Sequence, residues 1–280
     1  MSGIISSINY ASLFNTSSAS TSSLLNTLYN FSSTATPTSA INALQNAETN
    51  ETKDVALEAK QPAIVRDIAT FTQAVKSATS VKQLLSNPTV LKVILTANGL
   101  SDQIPYTALA QKALMSDPSN SSSLANQLSN TNWASATKAY NFFSNGLSKI
   151  QQPATIASIT NAYTETMWRQ SLDASTPGLS NALTFRASAS AATSTLQILG
   201  NSVLRDVVTT ALGLPLEIAL QPIEAQQKAI STQLDITKLQ DPKFVDQFIQ
   251  KYILAKVAAA ASAATTAPTD PMSQINKLTA

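Results

Sequence analysis

The sequence predicts an all-α protein: a single helical domain built from two related helical-hairpin units, between N- and C-terminal tails that are disordered or order conditionally. Three observations lead there. Apolar residues recur at spacings of three and four along most of residues 62–256, the signature of helices with one buried face. An Asn-Pro or Asp-Pro pair stands at Asn87-Pro88, Asp117-Pro118 and Asp241-Pro242, an N-cap followed by a proline whose missing N–H costs nothing in the first turn. No run alternates apolar with polar residues between turn dipeptides, so no strand is expected.

The elements follow in order. Residues 1–61 read as a Ser/Thr/Asn-rich leader in which Glu48 is the first charged residue, and Glu48 to Lys60 are able to sustain a short solvated helix. Pro62 opens a helix whose face carries Ile64, Val65, Ile68, Phe71 and Val75. After the Asn87 cap, Val90, Leu91, Ile94 and Leu95 form a stripe that Gly99 ends, where a left-handed residue closes a helix. Asn132 is the expected cap before Trp133. Ile156, Ile159, Tyr163 and Met167 mark a further helix, and Leu179, Leu183 and Arg186 another after Pro177-Gly178. Asp241-Pro242 leads into Phe244, Val245, Phe248, Ile249, Tyr252 and Ile253. Residues 257–280 are an Ala/Thr/Pro-rich tail. Alanine carries the last helix to about Ala264 before Pro268 and Pro271 end it.

The chain also resembles itself. Leu85 to Leu100 aligns without gaps on Leu199 to Leu214, and Lys112-Ala113-Leu114 meets Lys228-Ala229-Ile230. Asp117-Pro118 is then paired with Asp241-Pro242. Two units, about 81–130 and 195–253, are the expected result, with residues 132–195 between them. Two copies are too few for a solenoid.

Composition removes several function classes. There is no Cys and no His, so thiol nucleophiles, disulfides and the commonest general base and metal ligand are missing. The six glycines form no phosphate-binding pattern. Charged residues make up 12%, against about 25% in an ordinary domain. The net charge of +2 is scattered, so nucleic acid is not an expected partner. No segment has the apolar length of a spanning helix or the form of a cleaved secretory signal. No enzymatic activity and no cofactor are expected.

The candidate site residues are therefore partner-binding ones. Ile4, Ile5 and Ile8, and Leu24, Leu25 and Leu28, sit in a leader with no core of its own to receive them. Trp133 and Tyr140, beside Phe142 and Phe143, read either as core or as an aromatic partner-facing patch. Glu165, Arg169 and Asp173 are spaced by four and can form an ion-pair ladder. Arg186, among Phe185, Ala187 and Ala189, reads as a buried cation held by helix-end carbonyls or a carboxylate such as Glu165. A pocket converging on Arg186 would instead point to a small-ligand-binding helical domain.

Three ordered groups of residues carry a family likeness. They are Ser80 to Pro88 with Leu95 to Leu100; Leu124-Ala125-Asn126-Gln127-Leu128 leading to Ala139-Tyr140-Asn141-Phe142; and Thr210 to Pro215 with Leu234-Asp235-Ile236 and Leu239 to Pro242. Over roughly residues 65–255 the chain resembles an alphaproteobacterial family encoded among flagellar genes, domain of unknown function 1217. That resemblance implies association with the bacterial flagellum, other flagellar proteins or further copies of the chain as partners, and no enzymatic activity. The expected role is a structural or assembly component carried out by Sec-independent type III export to the flagellum or the medium. A cytoplasmic accessory protein, chaperone or regulator, is the alternative.

Overall fold

A computed structural model describes residues 36–266. Among them every regular element is helical and none is a strand. In chain order the α-helices are α1 (Pro37–Glu58), α2 (Pro62–Ser77), α3 (Val81–Leu85), α4 (Pro88–Ala97), α5 (Thr107–Leu114), α6 (Leu124–Gln127), α7 (Asn132–Tyr140), α8 (Phe142–Asn145) and α9 (Pro153–Leu172). They continue with α10 (Leu179–Ser188), α11 (Thr195–Gly200), α12 (Ser202–Leu212), α13 (Ile223–Ser231) and α14 (Pro242–Thr266).

Two hydrophobic cores result. The first joins Ile64, Phe71 and Val75 of α2 to Val90, Ile94 and Leu95 of α4, and to Trp133, Tyr140 and Tyr163. The second joins Phe185, Val207, Ile249 and Tyr252 to Ala40, Leu44 and Ala47 of α1. A helix packed on this core, α1, therefore lies inside what the sequence assigns to the leader. Thr36 starts that helix by accepting a hydrogen bond from Ser39 N, with Pro37 in the first turn. Val65 also departs from expectation. It is 50% exposed, and α2 buries Ile64, Phe71 and Val75 instead.

The internal likeness is written in hydrogen bonds. Ser80 caps α3 by accepting from Gln83 N, while Gln83 Oε1 accepts from Thr79 N. Ser194, Gln197 and Thr193 repeat both bonds at α11. Each is a reciprocal capping pair that satisfies N–H groups a helix start leaves unmade. Asn87 Oδ1 accepts from Thr89 N and Val90 N, and Asn201 Oδ1 accepts from Val203 N and Leu204 N. Gly99 and Gly213 both have φ of +67°. Each lets the next residue reach back, Leu100 N to Leu95 O and Leu214 N to Thr209 O.

The match extends in both directions beyond the expected units. Phe71 of α2 and Phe185 of α10, both fully buried, stand 114 residues apart, the offset of the gapless alignment. Pro153 and Pro242 both open long helices, α9 and α14, that lie along α4 and α12 respectively. The proposed pairing of Asp117 with Asp241 is corrected. Asp117 caps no helix; its Oδ1 accepts from Ser119 N and Oγ, as Asp235 Oδ1 does from Thr237 N and Oγ1. Asp241 does cap α14, through Lys243 N, whereas α7 has Thr131 at its cap position and Asn130 Oδ1, one residue earlier, accepts from Asn132 N. Asn132 is thus the first residue of α7 and not its cap.

One polar cluster pins each unit. In the first, Asp67 Oδ2 accepts from Tyr163 OH at 2.6 Å and from Lys92 Nζ at 2.6 Å. In the second, Asp206 accepts from Tyr252 OH at 2.6 Å, Lys256 Nζ at 2.8 Å and Asn181 Nδ2 at 2.8 Å. Burial works against both ionised carboxyls, but these bonds outweigh it and hold each below the usual carboxylate range. Burial and then the adjacent carboxylate push both tyrosines well above the ordinary value of 10.

Depressed carboxylates contribute stability above 3.8, the ordinary aspartate value, and lose it as pH falls through their folded values. Raised tyrosines contribute below 10, and that contribution is lost as pH rises. Tyr252→Phe is expected to cost about 1–3 kcal/mol at neutral pH and to flatten the alkaline limb, read from denaturant midpoints between neutrality and pH 11. A second expectation concerns the joint between units. A Cβ on Gly200 would lie 2.1 Å from the Ser129 carbonyl oxygen. Gly200→Ala should therefore lower stability by about 1–3 kcal/mol, seen as a reduced thermal midpoint.

Candidate functional site

Trp133 and Tyr140, expected as possible partner contacts, are core residues. They are 1% and 5% exposed. Their faces are taken up internally: Tyr140 OH accepts from Asn98 Nδ2 at 2.6 Å, and Thr137 on the same helix donates to Ala113 O. Phe143 is the outward aromatic, at 61%. Ile4, Ile5, Ile8, Leu24, Leu25 and Leu28 lie outside the described residues.

The expected ladder on α9 is only partly made. Arg169 pairs with Glu165, as the spacing predicts, and also with Glu51 of α1 at 3.2 Å. Asp173 turns away and accepts from Ser180 N at 2.9 Å, so it serves the start of α10. Arg186 is half-exposed, and its carboxylates are Glu48 at 2.6 Å and Asp246 at 3.0 Å, not Glu165. These groups border a cleft of about 270 Å³ lined by Glu48, Glu51, Arg169 and Arg186. Each guanidinium there already meets two carboxylates, which leaves the cleft no net positive field for an anionic ligand. Burial first, then the charges of Asp246 and Glu51, push Glu48 above the usual glutamate range; Arg186 offsets this in part. The pairs tie α1 to α9, α10 and α14 across long sequence separations.

The surface that stands out lies on the second unit. Between Pro215 and Pro222 the chain makes a single 3-10 segment, Leu216–Leu220. Leu216 is 91% exposed and Leu220 84%. Leu196 of α11, at 52%, and Ile223 of α13, at 42%, flank a groove of about 420 Å³ whose floor includes Leu199 and Gly200. Arg205 lines one side while its Nη1 donates to Leu199 O at 3.1 Å. Apolar side chains gathered in this way on a surface mark an interaction site. The sequence signal was available: two prolines bracket an apolar run too short to make its own buried helix.

The first unit differs beside the positions of Arg205 and Gln226, while its counterparts of Leu216 and Leu220, Asp102 and Tyr106, are exposed as well. There the chain between α5 and α9 forms α6, α7 and α8, and α7 packs on α5. Leu91 and Ala110 are 2% and 0% exposed. Their counterparts in the alignment are Arg205 and Gln226, which line the open groove. In the second unit only residues 232–241 join α13 to α14, with one 3-10 turn among them. No equivalent of α7 is present there among the described residues.

Arg169 holds two carboxylates from different helices, and its Nε is buried without a partner. Arg169→Ala should leave Glu51 and Glu165 facing one another and cost about 1–3 kcal/mol. Amide exchange in α1 should quicken more than in α4, measured by hydrogen–deuterium exchange mass spectrometry.

Among the described residues no helix is long and apolar enough to cross a membrane, and no group of acidic residues is arranged to hold a metal ion. Among curated proteins none matches the chain. A protein from Agrobacterium tumefaciens solved by X-ray crystallography shares the fold, with a TM-score of 0.67 at 22% identity, over 78% of this chain and 93% of its own. The family described as Protein of unknown function (DUF1217) matches residues 97–245. That span is just over half of the sequence and runs from the end of α4 into α14, so the chain belongs to this family.

Proposed function

We propose that the protein is a non-enzymatic structural or assembly component of the bacterial flagellum, exported by the flagellar type III apparatus. The observation that carries the assembly part is the uncovered apolar face around Leu216 and Leu220, whose 91% and 84% exposure exceeds that of every other large hydrophobic residue among those described. An apolar face of this kind gains free energy when another protein surface removes it from water. The flagellar part is supported by the likeness carried by Ser80–Pro88, Leu124–Leu128 and Thr210–Pro215. It is supported also by a leader free of charge up to Glu48 and by the absence of Cys, both suited to passage through a narrow channel unfolded. The expected partners are other flagellar proteins or further copies of the chain.

Fractionation tests this directly. Cell pellet, medium and purified flagella would be immunoblotted in wild type and in a flagellar export mutant. Appearance on the flagellum that depends on export is the expected result. Retention in the pellet in both strains would overturn export and leave a cytoplasmic accessory role. Because α1 belongs to the folded body, deleting residues 2–35 removes the leader while keeping every described helix. That variant should remain in the cell, and secretion equal to that of the full chain would reject the leader as the export signal.

A further inference from the structure

We propose that α1 is a strap that closes more firmly on the body as pH falls from neutrality, because Glu48 takes up a proton at the joint with α10 and α14. A joint held by ordinary salt bridges behaves the other way and loosens in acid.

The charges at the joint carry this. Without α1 the body is balanced there: Arg169 meets Glu165 of its own helix, and Arg186 meets Asp246 of α14 at 3.0 Å. α1 then adds two carboxylates, Glu51 to Arg169 at 3.2 Å and Glu48 to Arg186 at 2.6 Å. Four carboxylates come to share two guanidiniums around a cleft of about 270 Å³. A proton on one of them removes part of that surplus, and the protonated group still accepts from a guanidinium through its carbonyl oxygen.

Glu48 is the carboxyl placed to take the proton. Its side chain is 24% exposed, against 39%, 41% and 40% for Glu51, Glu165 and Asp246. It faces Arg186 of α10 and Asp246 of α14, with Glu51 one turn further along α1 and Arg169 of α9 on the same cleft. Asp246 Oδ1 is withdrawn from water and touches Arg186 Nε without forming a hydrogen bond, so a like charge beside Glu48 is incompletely answered. Burial first, helped by the charges of Asp246 and Glu51, outweighs the attraction of Arg186 and raises Glu48 above its ordinary value of 4.5. Docking of α1 therefore takes up a proton. The stability this contributes is full below 4.5 and is lost as pH rises through the folded value.

The rest of the hold on α1 is slight. Its buried stripe is two alanines and one leucine, Ala40, Ala47 and Leu44. It adds nothing to the core of the first unit, and only Ala59, Lys60 and Gln61 join it to α2. A helix held in this way opens locally, at less cost than global unfolding, and one proton changes how often it does so.

Hydrogen–deuterium exchange mass spectrometry on the full chain reads that opening, with rates corrected for the intrinsic pH dependence of amide exchange. From about pH 7.5 to about pH 5 the protection of α1 should rise about threefold or more relative to that of α4. Glu48→Gln keeps the shape of the side chain and cannot ionise. At the higher pH it should already show the protection that the parent chain reaches at the lower one. Asp246→Asn, which removes the like charge, should shrink the acid gain. Unchanged helical circular dichroism would show that both variants fold. Protection of α1 that falls with acid, or that follows α4 at every pH, overturns the proposal. So does faster exchange of α1 in Glu48→Gln, an acid gain that survives that substitution, or one that Asp246→Asn leaves undiminished.

Discussion

Both cores depend on one helix, and that helix constrains how the rest can be arranged. α9 contributes Ile156, Ile159 and Tyr163 to the first core, and Trp168 with the partly buried Leu172 to the second. At about 100° per residue those two sets lie roughly 120–180° apart around the helix. Such a helix is buried on one side at its start and on the other side at its end, so it has no single apolar stripe. Neither unit can shift along α9 without dragging the other. Glu51 and Glu48 then bring α1 onto this same region through Arg169 and Arg186, although α1 precedes the first unit in the chain and packs with the second.

The two polar clusters show which part of a repeated framework is fixed and which part is free to move. In the first unit the carboxylate is Asp67 on α2, facing Lys92 on α4; in the second, Asn181 on α10 faces Asp206 on α12. The aligned positions have exchanged charge, with Asp67 opposite Asn181 and Lys92 opposite Asp206 in the alignment. The tyrosine from the long helix lying across them stays, as Tyr163 or Tyr252. The lysine that balances the second carboxylate comes from a different place, Lys256, one turn beyond Tyr252. A carboxylate partly withdrawn from water needs donors and a cation, but the physics does not dictate which helix supplies them.

Caps were the part of the fold most legible in the sequence, because a cap is a local contract between a side chain and backbone N–H groups two or three residues away. Asn87, Asp241 and Gly99 act as their positions imply. Only the second half of α1 was legible, as the helix expected from Glu48 to Lys60, and its first half was missed for the opposite reason. Its buried stripe is Ala40, Leu44 and Ala47, two of them too small to register as hydrophobic, and its charged residues are satisfied by Arg169 and Arg186 more than a hundred positions away. Asp117-Pro118 misled because the local motif also suits an Asx turn, and Ser119 supplies the hydroxyl that completes one. Trp133 and Tyr140 were ambiguous because periodicity reports that a face is buried and not by what; the covering residues, Asn98 and Ala113, come from helices that only the tertiary fold brings near. The exposed leucines carry a local signal in Pro215 and Pro222, but the groove needed the fold, which brings Ser129, Leu199 and Gln226 from separate segments to one place.

Scarcity of charge acquires a physical meaning once the ion pairs are located. Asp67–Lys92, Glu51–Arg169–Glu165, Glu48–Arg186–Asp246 and Asp206–Lys256 all join helices to one another. Charges used in this way orient the interior and contribute little to the outer field. What remains on the surface is largely amide and hydroxyl, groups that exchange water for another protein's polar atoms at small net cost. Two copies of such a surface approach without the like-charge repulsion that keeps ordinary soluble domains apart. Apolar area at Leu216 and Leu220 can then set where they meet. In a charge-rich protein the same leucines would have to overcome the field around them, whereas here charged residues make up only 12% of the chain and a modest apolar contact is enough to choose the neighbour.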